Sequence, residues 1–160
     1  MFSRHASRMF ALGILGTFAV ALLLLSPRPG FTAADPWNAS QTVQPGDLLK
    51  ELNASKSAST IVFVGFKRLY TSGHIKGAQV HGTTGSAEGL NELRSWAAAL
   101  PRSSNLVIYC GCCPMDRCPN IRPAFTVLRD LGFTKLRVLL LPTNFEEDWA
   151  NKGYAYEKGQ

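Results

Sequence analysis

Four cysteines fall within nine residues of this chain: Cys110, Cys112, Cys113 and Cys118, in the run YCGCCPMDRCPN. A thiolate is a nucleophile, a disulfide partner and a soft metal ligand, so three chemistries are open. The leading expectation is a reactive thiol. The cluster follows an apolar run, Leu106–Tyr109, and precedes a helical pattern. In an open parallel sheet the crevice at the carboxyl ends of the strands is where chemistry is expected. A loop entering a helix also presents backbone N–H groups and a positive dipole end, which bind anions and lower a thiol's pKa. The backbone of Gly111 to Cys118 and the side chain of Arg117 would then hold an anionic substrate. Arg117 is expected to matter more than Arg122, which directly precedes Pro123 and falls in the first helical turn.

The second chemistry is purely structural: two disulfides, or one disulfide and two thiols, in an oxidising compartment. Adjacent Cys112 and Cys113 fit disulfide geometry badly. The third is a metal site, since C-x-C-C-x4-C offers Zn²⁺ or Cu(I) four soft ligands in Cys110, Cys112, Cys113 and Cys118. Zinc sites usually draw two separated ligand pairs, and this is one tight cluster. No metal or other cofactor is the main expectation.

The elements that must position this loop alternate in type. Asp47 is expected to cap a short helix, Leu48 to Leu52. Ile61 to Val64, Leu106 to Tyr109 and Leu136 to Leu141 are continuous apolar runs that read as buried strands. Ser86 would cap a helix through Leu100, with Leu90, Leu93, Trp96, Ala97 and Leu100 at helical spacing and Pro101 as its stop. Ala124 to Leu131 reads as a helix ended by Gly132. Asn144 would cap an acidic first turn of Glu146, Glu147 and Asp148. Strand and helix in alternation predict an α/β fold with a parallel central sheet covered by helices on both faces.

At 160 residues, 46% hydrophobic and 18% charged, the chain is too apolar for disorder and of a length for one domain. Its net charge of +6 owes much to Arg4, Arg8 and Arg28; beyond residue 34 the balance is 14 basic against 11 acidic. That excludes a nucleic-acid footprint, so no nucleic-acid partner is expected. Arg4, His5 and Arg8, the uncharged run Met9 to Leu25, and Thr32 and Ala34 at an A-x-A-like site make residues 1–34 a secretory signal. Left uncleaved, the segment would be an N-terminal anchor, the one route to a membrane. Either way the domain, residues 35–160, is expected to be exported to the periplasm or secreted, as a monomer.

Tyr70-Thr-Ser-Gly-His-Ile-Lys-Gly-Ala78 resembles the Y-x-x-G-H-I-x-G-A signature of rhodanese-like domains. Leu106-Val-Ile-Tyr-Cys110 resembles the strand that ends in that family's active-site cysteine. Leu128-Arg-Asp-Leu-Gly-Phe133 resembles the end of the following helix. Leu139 to Tyr154, with Trp149 and Gly153, is similar to the family's closing stretch. The resemblance spans about residues 44–157 and implies a rhodanese-like α/β fold. It also implies sulfur transfer: a cysteine takes a sulfane sulfur from a donor such as thiosulfate as a persulfide and passes it to a thiol or cyanide-like acceptor. Cys110 would carry the persulfide, with Cys112, Cys113 and Cys118 as resolving thiols or disulfide partners.

Departures from the family pattern are concentrated at the site. The usual D-V-R after the first strand reads Phe63-Val64-Gly65. Cys110 has the strand-end position of the family nucleophile, whereas Cys112 has its C-x4-R spacing to Arg117, so Cys112 is the alternative nucleophile. The C-x5-R of related oxyanion-binding versions is overshot by one residue from Cys110. These misfits keep a second function open: a thiol-disulfide or soft-metal-binding module without turnover. His74 is expected to order its loop, and His81, after a short strand, to be structural or on the surface.

Overall fold

The computed structural model describes residues 34–54 and 59–159. The expected export segment lies outside them apart from Ala34. Seven strands and five helices occur among the described residues. They are β1 (Thr42–Val43), α1 (Pro45–Asn53), β2 (Thr60–Phe63), α2 (Lys67–Ser72), β3 (His74–Ile75), β4 (Gln79–Val80), α3 (Ala87–Ala98), β5 (Asn105–Tyr109), α4 (Ile121–Asp130), β6 (Lys135–Leu139), α5 (Phe145–Asp148) and β7 (Tyr156–Glu157). The central sheet is parallel throughout, in the order β1-β6-β5-β2-β4, and β3 pairs with β7 in a separate antiparallel ribbon.

The three long strands are continuously apolar because both faces of the sheet are covered, and alternate side chains serve different cores. Val62, Leu106, Ile108, Leu136 and Val138 pack with Leu93 and Ala97 of α3 and with Ile121, Ala124, Phe125 and Leu128 of α4. Ile61, Phe63, Val107, Tyr109 and Leu139 pack on the opposite face with Leu48 of α1, Tyr70 of α2 and Trp149 after α5. A fully buried side chain of this size contributes roughly 1.5–3 kcal/mol. Two-sided coverage is therefore what holds the sheet. Cys110, one residue past β5, continues the alternation onto the α3/α4 face.

Most helix ends follow the sequence signals. Ser86 accepts from the Gly89 N–H, and Asn144 accepts from the Glu147 N–H. Gly132 adopts φ +89°, and Phe133 N–H reaches back to the Leu128 carbonyl at 3.2 Å, closing α4. Two expectations need correcting. Asp47 is not a cap: α1 starts at Pro45 with Gln44 in the cap position, because the fixed φ and missing N–H of proline suit the first helical position. The helix after the cysteine loop extends ahead of the Ala124–Leu131 run to Ile121, with Arg122 in its first turn as expected, because Pro123 costs no hydrogen bond there. Helix α2 and the two-residue strands β1, β3 and β7 lie in segments too short to show a period.

Candidate active site: a sulfur cluster between β5 and α4

Strand β5 delivers Cys110 to the carboxyl edge of the sheet, where Gly111 turns the chain with φ +68°. A Cβ at Gly111 would stand 2.7 Å from that of Phe145, so the approach of α5 excludes any side chain there. Phe145 N–H then donates to the Gly111 carbonyl at 3.0 Å, and Met115 N–H to the Pro142 carbonyl at 3.2 Å. The segment joining β6 to α5 thus clamps the loop at two points. Arg122 clamps it from the other side: its Nη1 donates to the Met115 carbonyl at 3.0 Å, while Asp35 holds its Nη2 at 2.7 Å.

The sulfurs converge inside this frame. Those of Cys110, Cys112 and Cys118 all lie within 4.8 Å of one another. Cys112 Sγ stands 4.0 Å from Cys118 Sγ and 3.0 Å from Cys113 Sγ. Asn120, fully buried at the head of α4, donates from Nδ2 to Cys110 Sγ at 3.4 Å and to Cys112 Sγ at 3.9 Å. Its side-chain carbonyl accepts from Gly85 N–H at 2.8 Å, and its backbone carbonyl accepts from the Thr84 hydroxyl at 2.7 Å. No motif marks Asn120 as functional. The signal available was its place just before a helix that follows a cysteine.

Burial and sulfur-to-sulfur hydrogen bonds divide the protons unequally. Cys110 is 3% exposed, and its thiol is pushed well up by donating to Cys112 and Cys118, then by burial. Cys112 is brought down to about 5, first by the Cys110 hydrogen bond and further by Cys113, Cys118 and Asn120. Cys118 is brought down to about 7 by Cys110 and by the backbone N–H groups of Asn120 and Ile121. Burial and Cys112 push Cys113 up to about 12. A single anion centred on Cys112, surrounded by donors, is the charge state this geometry favours.

The expected anion-binding groups are placed differently. Arg117 ends the 3-10 turn Met115–Arg117, its side chain is 78% exposed, and its charged neighbour is Asp116 at 4.0 Å. The N–H groups of Met115, Arg117 and Cys118 are taken up by the Pro142, Pro114 and Met115 carbonyls, because the turn closes on itself. The backbone N–H groups that favour a thiolate are those of Asn120 and Ile121, which lower the Cys118 thiol from the start of α4.

The missing D-V-R also has a steric reason. A Cβ at Gly65 would come within 2.8 Å of both Cys110 Sγ and the Phe63 ring, so no arginine fits beside this sulfur. His74 is buried and orders its loop, with Nδ1 2.8 Å from the Tyr70 carbonyl and its ring stacked on Tyr70. His81 stacks on Trp96. Beside the cluster opens a cavity of about 420 Å³. Cys110, Gly111 and Cys112 form one side; Phe63, Leu69, Phe145 and Tyr156 give it an aromatic and aliphatic wall; Glu146 and Lys158 are its charged groups.

No protein-family model and no curated protein matches the chain. Solved structures do. The chain is similar to the rhodanese-like domain of the Anabaena sp. Alr3790 protein, with 24% identity, a TM-score of 0.55, and 74% of this chain and 79% of that one covered. It is similar to the Bacillus halodurans BH2092 protein at 20% identity and a TM-score of 0.59, covering 74% and 77%. It also resembles part of EanB, determined as a cysteine-persulfide form with ergothioneine, at 21% identity and a TM-score of 0.54, covering 73% of this chain and 28% of that one. With a parallel five-stranded sheet, helices on both faces and a cysteine at the end of the middle strand, the chain has the rhodanese-like fold.

Proposed function

We propose that this chain is a sulfurtransferase that carries sulfane sulfur as a persulfide on its cysteine loop, with Cys112 as the attacking thiolate and Cys110 as the buried donor beneath it. One observation carries the choice of residue. Both Cys110 and Cys112 line the cavity, but Cys112 is only half-buried while Cys110 is almost sealed at the strand end. Cys112 also has the C-x4-R spacing, although Arg117 points to solvent. Stabilisation of the thiolate by preset S–H and amide donors takes the place of the missing arginine.

The transfer balances without an added oxidant. The Cys112 thiolate attacks the outer sulfur of a donor such as thiosulfate; the new S–S bond forms as the donor's S–S bond breaks, and sulfite leaves with the electron pair. A thiolate or cyanide acceptor then attacks the outer sulfur of the persulfide, and Cys112 leaves as the thiolate. The reading extends to an exported setting, where the acceptor would have to be a small thiol or a protein thiol kept reduced.

Mass spectrometry of reduced, anaerobic protein after exposure to thiosulfate or an inorganic polysulfide tests this. The loop peptide should gain one sulfur, Cys112→Ser should abolish the gain and the turnover, and Cys110→Ser should retain the gain. Retention in Cys112→Ser and loss in Cys110→Ser would move the nucleophile to Cys110. No gain in the wild-type chain would overturn the sulfurtransferase reading.

A further inference from the structure

Persulfide chemistry needs one sulfur, or two if a neighbour resolves it. The loop brings three together around a common centre, and the geometry points to a site for a thiophilic closed-shell metal ion, Cu(I), held in three-coordination by Cys110, Cys112 and Cys118. With a metal–sulfur distance of about 2.3 Å, the ligands of a planar three-coordinate ion stand about 4.0 Å apart. The Cys112–Cys118 separation is already 4.0 Å, and all three sulfurs are within 4.8 Å of one another.

Coordination number decides between metals. Two ligands of a tetrahedral zinc thiolate site are about 3.8 Å apart, and Zn²⁺ in a closed structural site takes four. Cys113 Sγ, 3.0 Å from Cys112 Sγ, stands outside the group of three mutually close sulfurs. No histidine or carboxylate among the described residues joins the group of three. A set of three soft ligands with no harder fourth donor suits Cu(I) over Zn²⁺.

The surroundings also suit a thiolate-rich centre. Asn120 presents its amide N–H₂, not its carbonyl, to Cys110 and Cys112. Such N–H···S contacts spread the negative charge that accumulates on thiolate ligands, the outer-shell support usual at metal sites. The ligands run from the strand end through the loop to the residues before α4, and Gly85 and Thr84 brace Asn120. Binding displaces the protons of the thiols that still carry them and changes no oxidation state.

Anaerobic titration of the full, reduced chain with Cu(I), in competition with a chromophoric Cu(I) chelator, tests the site. One Cu(I) per chain should bind, and copper X-ray absorption of the wild-type complex should show three sulfur neighbours. Cys112→Ser and Cys118→Ser should each weaken binding by about tenfold or more, while Cys113→Ser stays within a few-fold. Equal losses in Cys113→Ser, a four-sulfur shell, or failure to compete with the chelator would overturn the proposal. So would tighter binding of Zn²⁺ with the four-coordinate visible spectrum of its Co²⁺ substitute. The absorption measurement needs no variant, so a misfolded variant does not blunt the test. Copper binding without persulfide formation would sink only the sulfurtransferase reading, and persulfide formation without copper binding only this one.

Discussion

The backbone N–H of Gly85 bonds the side-chain carbonyl of Asn120 at 2.8 Å, which turns the amide nitrogen of Asn120 toward the sulfurs of Cys110 and Cys112. A residue between β4 and α3 thereby sets the polarity of the group facing the thiols. Asn120→Asp should reverse that polarity by placing an acceptor-only carboxylate against the sulfurs. The midpoint of the Cys112 alkylation profile should move up by about one pH unit for each 1.4 kcal/mol by which its thiolate loses favour. A rate-against-pH profile with iodoacetamide checks this. An unshifted profile would mean the amide does not govern the thiolate.

Gly65 is a site of steric exclusion. Gly65→Ala places a methyl 2.8 Å from both Cys110 Sγ and the Phe63 ring. Overpacking of this kind costs roughly 1–3 kcal/mol. Urea denaturation should show the loss, and the displaced Cys110 should become more accessible to thiol reagents under native conditions.

The two loop arginines should behave oppositely. Arg117→Ala removes an exposed side chain and should leave both stability and the Cys112 alkylation profile unchanged, within about 0.5 kcal/mol. Arg122→Ala removes the donor that ties the Met115 carbonyl to Asp35 and the guanidinium stacked over Trp37. Hydrogen bonds from charged groups contribute about 1.5–3 kcal/mol. The Arg122 variant should therefore melt earlier and be cut faster in the loop by protease.

Glu51 of α1 and Arg137 of β6 form a bidentate pair, with both contacts at 2.8 Å. The hydrogen bonds from Arg137 hold the Glu51 carboxyl below its ordinary range. The unfolded chain therefore binds this proton more readily than the folded one, and stability rises with pH across the interval. The contribution is fully present above the unfolded value of about 4.3 and is lost as pH falls through the lower folded value. Glu51→Gln should cost up to about 1 kcal/mol at pH 7 and nearly nothing at low pH, read from urea midpoints.

Long-range order was legible where the chain repeats itself. The runs at Ile61, Leu106 and Leu136 have one explanation, a strand buried on both faces, and β2, β5 and β6 are paired as that implies. Cys110 at the strand end followed from the same pattern. Strands β1, β3 and β7 hold two residues each, too few for a period to emerge, and their pairing depends on partners far along the chain. Asn120 escaped because its role comes from Gly85, thirty-five positions away. Arg117 is near the thiols in spacing, yet the 3-10 turn leaves its side chain 78% exposed, which spacing alone does not report.

Strand β1 sits at the edge of the sheet and pairs only with β6, Thr42 beside Val138. During synthesis that pairing waits until the chain as far as Leu139 has left the ribosome, as does the pairing of β5 with β6. All four cysteines emerge before β6 does. A nascent chain therefore carries four unburied thiols through an interval in which adventitious oxidation or mispairing competes with folding. Yield from a reducing translation mixture should exceed that from an oxidising one, however stable the finished domain is.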